Sequence, residues 1–217
     1  MQWSVGVTTC MIDGELRKSF TQTMKSLNEA RFATRSIGVF VDEKPAYGIV
    51  GNWILTAWEL FLRNPKADFY AIFQDDIICC KNIKPYIEKT VSVHSKHYYN
   101  LYTSGSNFAH VNSVGIREGW KCSNLLGRGA LALVFPRPVF MALLSSQELL
   151  AHVQSSKGAY GIDGAIQKAL STQGIHEQVH YPSLVQHRDE DEVPSTKRPQ
   201  PGRISPCFNP EINLMEL

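Results

Sequence analysis

The chain has 217 residues, 43% of them hydrophobic and 19% charged, with 22 Lys+Arg against 20 Asp+Glu for a net charge of +2. That length supports one sizeable core, or a domain with an appendage. The near-balanced charge excludes a global field that would draw nucleic acid or an anionic membrane surface.

The N-terminus, MQWSVGVTTC, lacks the basic-then-apolar layout of a signal segment. No run approaches the roughly 18 consecutive apolar residues of a membrane span. Five cysteines (Cys10, Cys79, Cys80, Cys122 and Cys207) are odd in number and show no CxxC spacing, which argues against a disulfide framework or a zinc knuckle. A soluble, cytoplasmic protein in a reducing compartment is the expectation.

Trp3 to Thr8 reads as a first strand. Asp13 is placed to cap a helix from Glu15 to Leu27, where Leu16, Phe20, Met24 and Leu27 recur at helical spacing. Ile37, Val39 and Val41 form a second strand closing on Asp42. A second helix starts at Gly48, carries Ile49, Trp53, Ala57, Leu60 and Phe61 on one face, and stops at Pro65. The next strand, 69–73, is aromatic and β-branched and ends in Gln74-Asp75-Asp76. This β-α-β-α-β order predicts an α/β fold with a parallel sheet and helices on both faces.

Beyond it, Ile83 to Val91 reads as helix and Tyr98 to Tyr102 as strand. Gly127-Arg128-Gly129 leads into an apolar strand, Ala130 to Phe135. Val139 to Leu144, Glu148 to Val153, and Asp163 to Leu170 read as helices. From Val193 on, proline, serine and charge dominate, which reads as a tail on a single domain spanning 1–192.

Ligands of open α/β sheets bind outside the carboxyl ends of the strands. Three of those ends carry Thr8-Thr9, Asp42-Glu43 and Asp75-Asp76, so all three point at one crevice. Adjacent aspartates repel, and burying them together requires a cation, a proton or a hydrogen-bond cage. The plain alternative is a solvated turn.

A first βα unit, a helix containing GNW, an apolar strand ending in QDD, and then GRGALAL, GID and PSLVQH occur in that order. Together they resemble nucleotide-sugar-dependent glycosyltransferases of the GT-A fold, over roughly residues 3 to 188. The resemblance implies a mixed, mainly parallel central sheet flanked by helices. It implies Mn²⁺ or Mg²⁺ held at the strand end, with Asp76 as the metal-binding acid of a DXD-type motif whose first acid is Gln74. It also implies His187 as the late histidine completing the metal shell; otherwise His187 is one more satisfied histidine. Asp163 matches the acid at a helix start that serves as catalytic base, or is an ordinary helix cap.

Gly127, Arg128 and Gly129 match the glycine-bearing loop near donor sugar and acceptor, or form a plain turn. Thr8, Thr9, Asp42, Asn52, Gln74 and Asp75 match positions lining the nucleotide. The implied reaction is transfer of a sugar from a UDP-linked donor to an acceptor hydroxyl, with inversion. The acceptor is open among a hydroxylated DNA base, a glycan and a protein, and Lys197, Arg198 and Arg203 in the tail motivate the DNA option. A non-catalytic nucleotide-sugar-binding module and a nucleotide-sugar hydrolase are the alternative functions. No GxGxxG, GxxxxGK[ST] or GxSxG is present.

Overall fold

The computed structural model describes residues 1–43, 47–115, 117–156, 161–188 and 203–217. Strand β1 (Trp3–Ile12) runs into β2 (Glu15–Leu16) through Asp13-Gly14. Both turn residues have positive φ, at 52° and 85°, as a two-residue Asp-Gly hairpin requires. Asp13 therefore turns a hairpin rather than capping a helix, and α1 (Lys18–Glu29) starts later than the sequence suggested. There follow β3 (Ile37–Asp42), α2 (Gly48–Arg63), β4 (Phe69–Gln74), β5 (Ile77–Cys79) and α3 (Ile83–Thr90). The second half supplies β6 (His97–Asn100), α4 (Gly105–Ser113), β7 (Gly119–Cys122), β8 (Ala132–Pro136), α5 (Arg137–Leu144), α6 (Gln147–Ser156), α7 (Ile162–Ser171), β9 (His176–Tyr181) and β10 (Val185–His187).

The protein is α/β, with a mixed central sheet flanked by helices. β1 pairs in parallel with β3 and β4, as the sequence order predicts. β8 then enters antiparallel between β4 and β6; β9 runs parallel to β6, and β7 antiparallel to β9. The sheet is thus parallel in its first half and largely antiparallel in its second. β4 is buried on both faces, as a central strand covered by helices must be. Phe69, Ala71 and Phe73 join the core under α1 and α3, while Tyr70 and Ile72 join the core under α2, α5 and α7.

Residues 203–217 lie on the first of these cores. Leu214 is fully buried there, Phe208 and Ile212 pack beside it, and Phe208 bridges to Ser183. The proposed domain boundary near 192, and the tail residues Lys197 and Arg198, lie outside the described residues.

The same core encloses His180. Its Nδ1 donates to the Pro182 carbonyl at 2.7 Å, which leaves Nε2 to accept from the Tyr86 hydroxyl at 2.7 Å. Burial lowers its pKa from 6.5 to about 4, against the opposing pull of the Pro182 carbonyl. Below pH 6.5 the unfolded chain takes up a proton that the folded chain refuses. The stability linked to His180 is therefore full above that pH and is lost as pH falls toward 4. Buried carboxylates with raised pKa slope the other way, so the observable is a difference between variants. The urea-derived stability gap between wild type and His180→Gln is expected to shrink by about 1–3 kcal/mol between about pH 7.5 and about pH 4.5. A gap that stays flat would remove the titrating role of His180.

Candidate active site at the strand ends

β4 ends at Gln74, whose backbone N–H donates to the Leu131 carbonyl at 2.8 Å. The chain then turns, and both aspartates go inward: Asp75 is 2% exposed and Asp76 4%. A solvated turn is ruled out. The Thr9 hydroxyl, in the second half of β1, donates to Asp75 Oδ2 at 2.5 Å. Arg17 Nη1 lies 2.6 Å from Asp75 Oδ1 and 3.2 Å from Asp76 Oδ2. Thr23 on α1 accepts from the Ile77 N–H at 3.1 Å and donates to the Asp75 carbonyl at 2.8 Å, pinning the turn from below.

His187 arrives by strand register. β5 pairs antiparallel with β10 so that His187 sits opposite Ile77, and the Arg188 N–H donates to the Asp76 carbonyl at 2.8 Å. The imidazole Nε2 thereby comes within 3.3 Å of Asp76 Oδ2. Two segments remote in sequence meet on one carboxylate.

The two aspartates diverge electrostatically. Burial pushes Asp75 up to about 6, against the lowering effect of Arg17; the charge of Asp76 raises it further. Burial also acts to raise Asp76, but His187, Arg17 and Arg203 together outweigh it and hold Asp76 below the ordinary carboxylate range. Asp76 is the member of the pair whose charged form the site favours.

Asp76 Oδ1 is buried and has no hydrogen-bond partner among the described residues. Such an atom calls for a partner. Carboxylate oxygen beside imidazole is a donor set that suits Mn²⁺ better than Mg²⁺. Among the described residues no three His, Cys, Asp or Glu side chains converge on one point. Most of the coordination would fall to phosphate oxygens and water, as is usual where such cations meet nucleotides. On these terms Asp76 and His187 fit a divalent cation that arrives with a phosphate ligand.

The other strand-end residues hold the scaffold. Thr8 is buried and its hydroxyl donates to the Phe73 carbonyl at 3.3 Å, tying β1 to β4. Asn52 Nδ2 donates to the carbonyls of Thr9 at 3.0 Å and Phe40 at 3.3 Å, so its amide clasps β1 and β3 together. Asp42 Oδ2 accepts from the Gly48 N–H at 3.1 Å, while its Oδ1 is buried without a partner among the described residues.

Gly127 to Gly129 and Asp163 form a second cluster. Gly161, not Asp163, is the N-cap of α7. Asp163 lies in the first turn, where a carboxylate favours the helix dipole, and its Oδ2 accepts from the Gly129 N–H at 2.8 Å. Gly127 has φ of 56°, and a Cβ there would stand 2.7 Å from the Asp163 carbonyl oxygen. Gly129 has φ of 83°, and its Cβ would meet the Tyr102 ring at 2.5 Å. The glycines are thus needed for packing against α7 and Tyr102. Arg128 is exposed between them, and its carbonyl accepts from Asn100 at 3.2 Å.

Tyr102 links the clusters. Its hydroxyl donates to the Arg203 carbonyl, and the Arg203 charge reaches Asp76. Sequence reasoning missed two participants. One is Arg17, a lone arginine after a turn, with no periodic or motif signal. The other is Glu177, a β9 carboxylate 2% exposed that accepts from Asn100 at 3.0 Å and whose pKa burial raises. An alternating polar position in HEQVHY reads as solvent-facing; in the fold Glu177 is buried against Asn100 and Ser123.

No protein-family model and no curated protein matches the chain. Among solved structures, it is similar to a glycosyltransferase involved in the glycosylation of the major capsid of PBCV-1, at 7% identity and a TM-score of 0.36, over 81% of this chain and 92% of that one. It is also similar to the inositol-1-phosphate CTP transferase from T. maritima, at 12% identity and a TM-score of 0.32, over 82% of this chain and 66% of that one. Among the described residues no helix is long and apolar enough to cross a membrane.

Proposed function

We propose that the chain transfers a sugar from a nucleoside-diphosphate sugar, UDP-linked, to an acceptor hydroxyl with inversion. The observation that carries this reading is the convergence of Asp76, in the turn after β4, and His187, on β10, on one buried point. Thr9, Arg17 and Asp75 complete the wall of that point. A divalent cation bound there would stabilise the negative charge of the departing diphosphate.

The protein's own part is positioning and one proton transfer. The acceptor oxygen bonds to the anomeric carbon as the bond from that carbon to the diphosphate oxygen breaks. The hydroxyl proton passes to the Asp163 carboxylate. The Gly129 N–H engages Oδ2 and so orients the carboxylate, whose Oδ1 lies beside Gly161 at the start of α7. The raised, buried Glu177 supports the loop through Asn100, whose amide bonds both its carboxylate and the Arg128 carbonyl.

Calorimetry tests the donor half directly. UDP is expected to bind in Mn²⁺ or Mg²⁺ and at least about 10-fold more weakly in EDTA, since the metal supplies most of the contact to phosphate. Equal affinity in both buffers would remove the cation from the reading.

A further inference from the structure

Arg17 takes no part in the transfer step above, yet the fold buries it against both aspartates. We propose that Arg17 is an exchangeable counter-ion: it neutralises the Asp75–Asp76 pair while no divalent cation is bound, and releases Asp76 when such a cation arrives with a diphosphate. The inference rests on the donor site proposed above.

The contacts are unequal in a way that marks which partner is released. Asp75 has one oxygen bonded by Arg17 at 2.6 Å and the other by Thr9. Asp76 receives Arg17 at 3.2 Å on an oxygen it shares with His187, and its second oxygen has no partner among the described residues. Asp75 is fully engaged, and Asp76 is half open.

The attachment of Arg17 permits the exchange. It occupies the N-cap position of α1 but makes no side-chain capping bond. It follows the exposed hairpin residues 13–16, while α1 anchors itself through Ser19, Thr23, Ser26 and Leu27. The packing of α1 therefore does not depend on the Arg17 side chain. A planar fork of N–H donors also matches phosphate oxygens better than a point charge does.

Charge arithmetic gives the functional consequence. With both carboxylates ionised, the pair and its contact cation Arg17 sum to −1 (−2 and +1), and the Arg203 charge also reaches Asp76. A divalent cation alone would have to break a buried ion pair and strand the guanidinium, which is costly. A cation arriving with a diphosphate gives the guanidinium a new anionic partner. Metal uptake is thus coupled to the phosphate ligand, and by linkage each tightens the other.

The test measures Mn²⁺ binding by electron paramagnetic resonance and melting temperature, on the full chain, with Mn²⁺ alone as the probe. Arg17→Gln is expected to melt lower than wild type without metal, to be restored by Mn²⁺ alone, and to bind Mn²⁺ at least about 10-fold more tightly than wild type, whose melting point Mn²⁺ alone scarcely moves. Adding Asp76→Asn to Arg17→Gln should erase that gain. Equal Mn²⁺ affinity in wild type and Arg17→Gln, or a gain that survives Asp76→Asn, overturns the proposal. Should Arg17→Gln not fold in either buffer, Arg17→Lys decides. Arg17 reaches both carboxylates through the one terminal nitrogen Nη1, and the shorter lysine side chain brings its ammonium less far toward them, so Mn²⁺ affinity should rise about 3-fold, and no rise overturns the proposal. UDP binding to wild type is scored separately. Its absence would sink the donor reading, while the Mn²⁺ comparison still decides the exchange.

Discussion

Asp163→Asn is expected to lower sugar transfer by about two to four orders of magnitude, the range for a positioned general base, while leaving fold and nucleotide binding in place. The substitution isolates the base because so little else depends on the negative charge. Asp163 is not the cap of α7; Gly161 is. Its structural duty is to accept from the Gly129 N–H, and an asparagine carbonyl oxygen accepts that bond equally well. Loss of a charge in the first turn costs only about 0.3–1 kcal/mol of helix-dipole interaction. Side-by-side transfer assays and UDP calorimetry on the two proteins separate the roles. Equal rates would place the base elsewhere and leave Asp163 as the clasp of the glycine loop.

Asp76→Asn should abolish metal-dependent UDP binding, with a loss above about 100-fold, because even residues that only support metal ligands cost about 10–100-fold. Its neighbour should behave differently. Asp75 is held at about 6 by burial and bonded on both oxygens, so Asp75→Asn removes a carboxylate that folding disfavours as an anion. UDP affinity in Mn²⁺ should then fall less than about 10-fold. Calorimetry on both variants gives the comparison, and equal losses would show that the aspartates share one role.

The parallel half of the fold was legible because its strands are short apolar runs ending in polar residues, and the register of β1 with β3 and β4 brings those ends together. Asp13 misled because Asp serves equally as a helix cap and as a hairpin residue; the following glycine, with positive φ, decided for the hairpin. Asp76 and His187 were readable as strand-end residues, but their meeting depends on β5 and β10, three residues each, which carry no periodicity of their own. Asn52 was legible as a polar side chain on the helix before the aspartate strand, expected to line the nucleotide. Its service to two backbone carbonyls was not, since the partners lie on different strands. Arg17 was invisible for the same reason: its significance is entirely tertiary.

The pairing of β5 with β10 also bears on how the protein comes into being. A nascent chain that has emerged only as far as α3 already holds Arg17, Asp75 and Asp76, but the imidazole that completes the cluster is still unmade. The strand carrying it is tied in turn by Ser205 to Gln186 and by Phe208 to Ser183. Contacts spanning such sequence distances form late, because the loop between them must close first. During synthesis the carboxylates therefore have Arg17 as their cation before they have the histidine. The cluster is complete only when the segment carrying Arg17, Asp75 and Asp76 has met the one carrying His187.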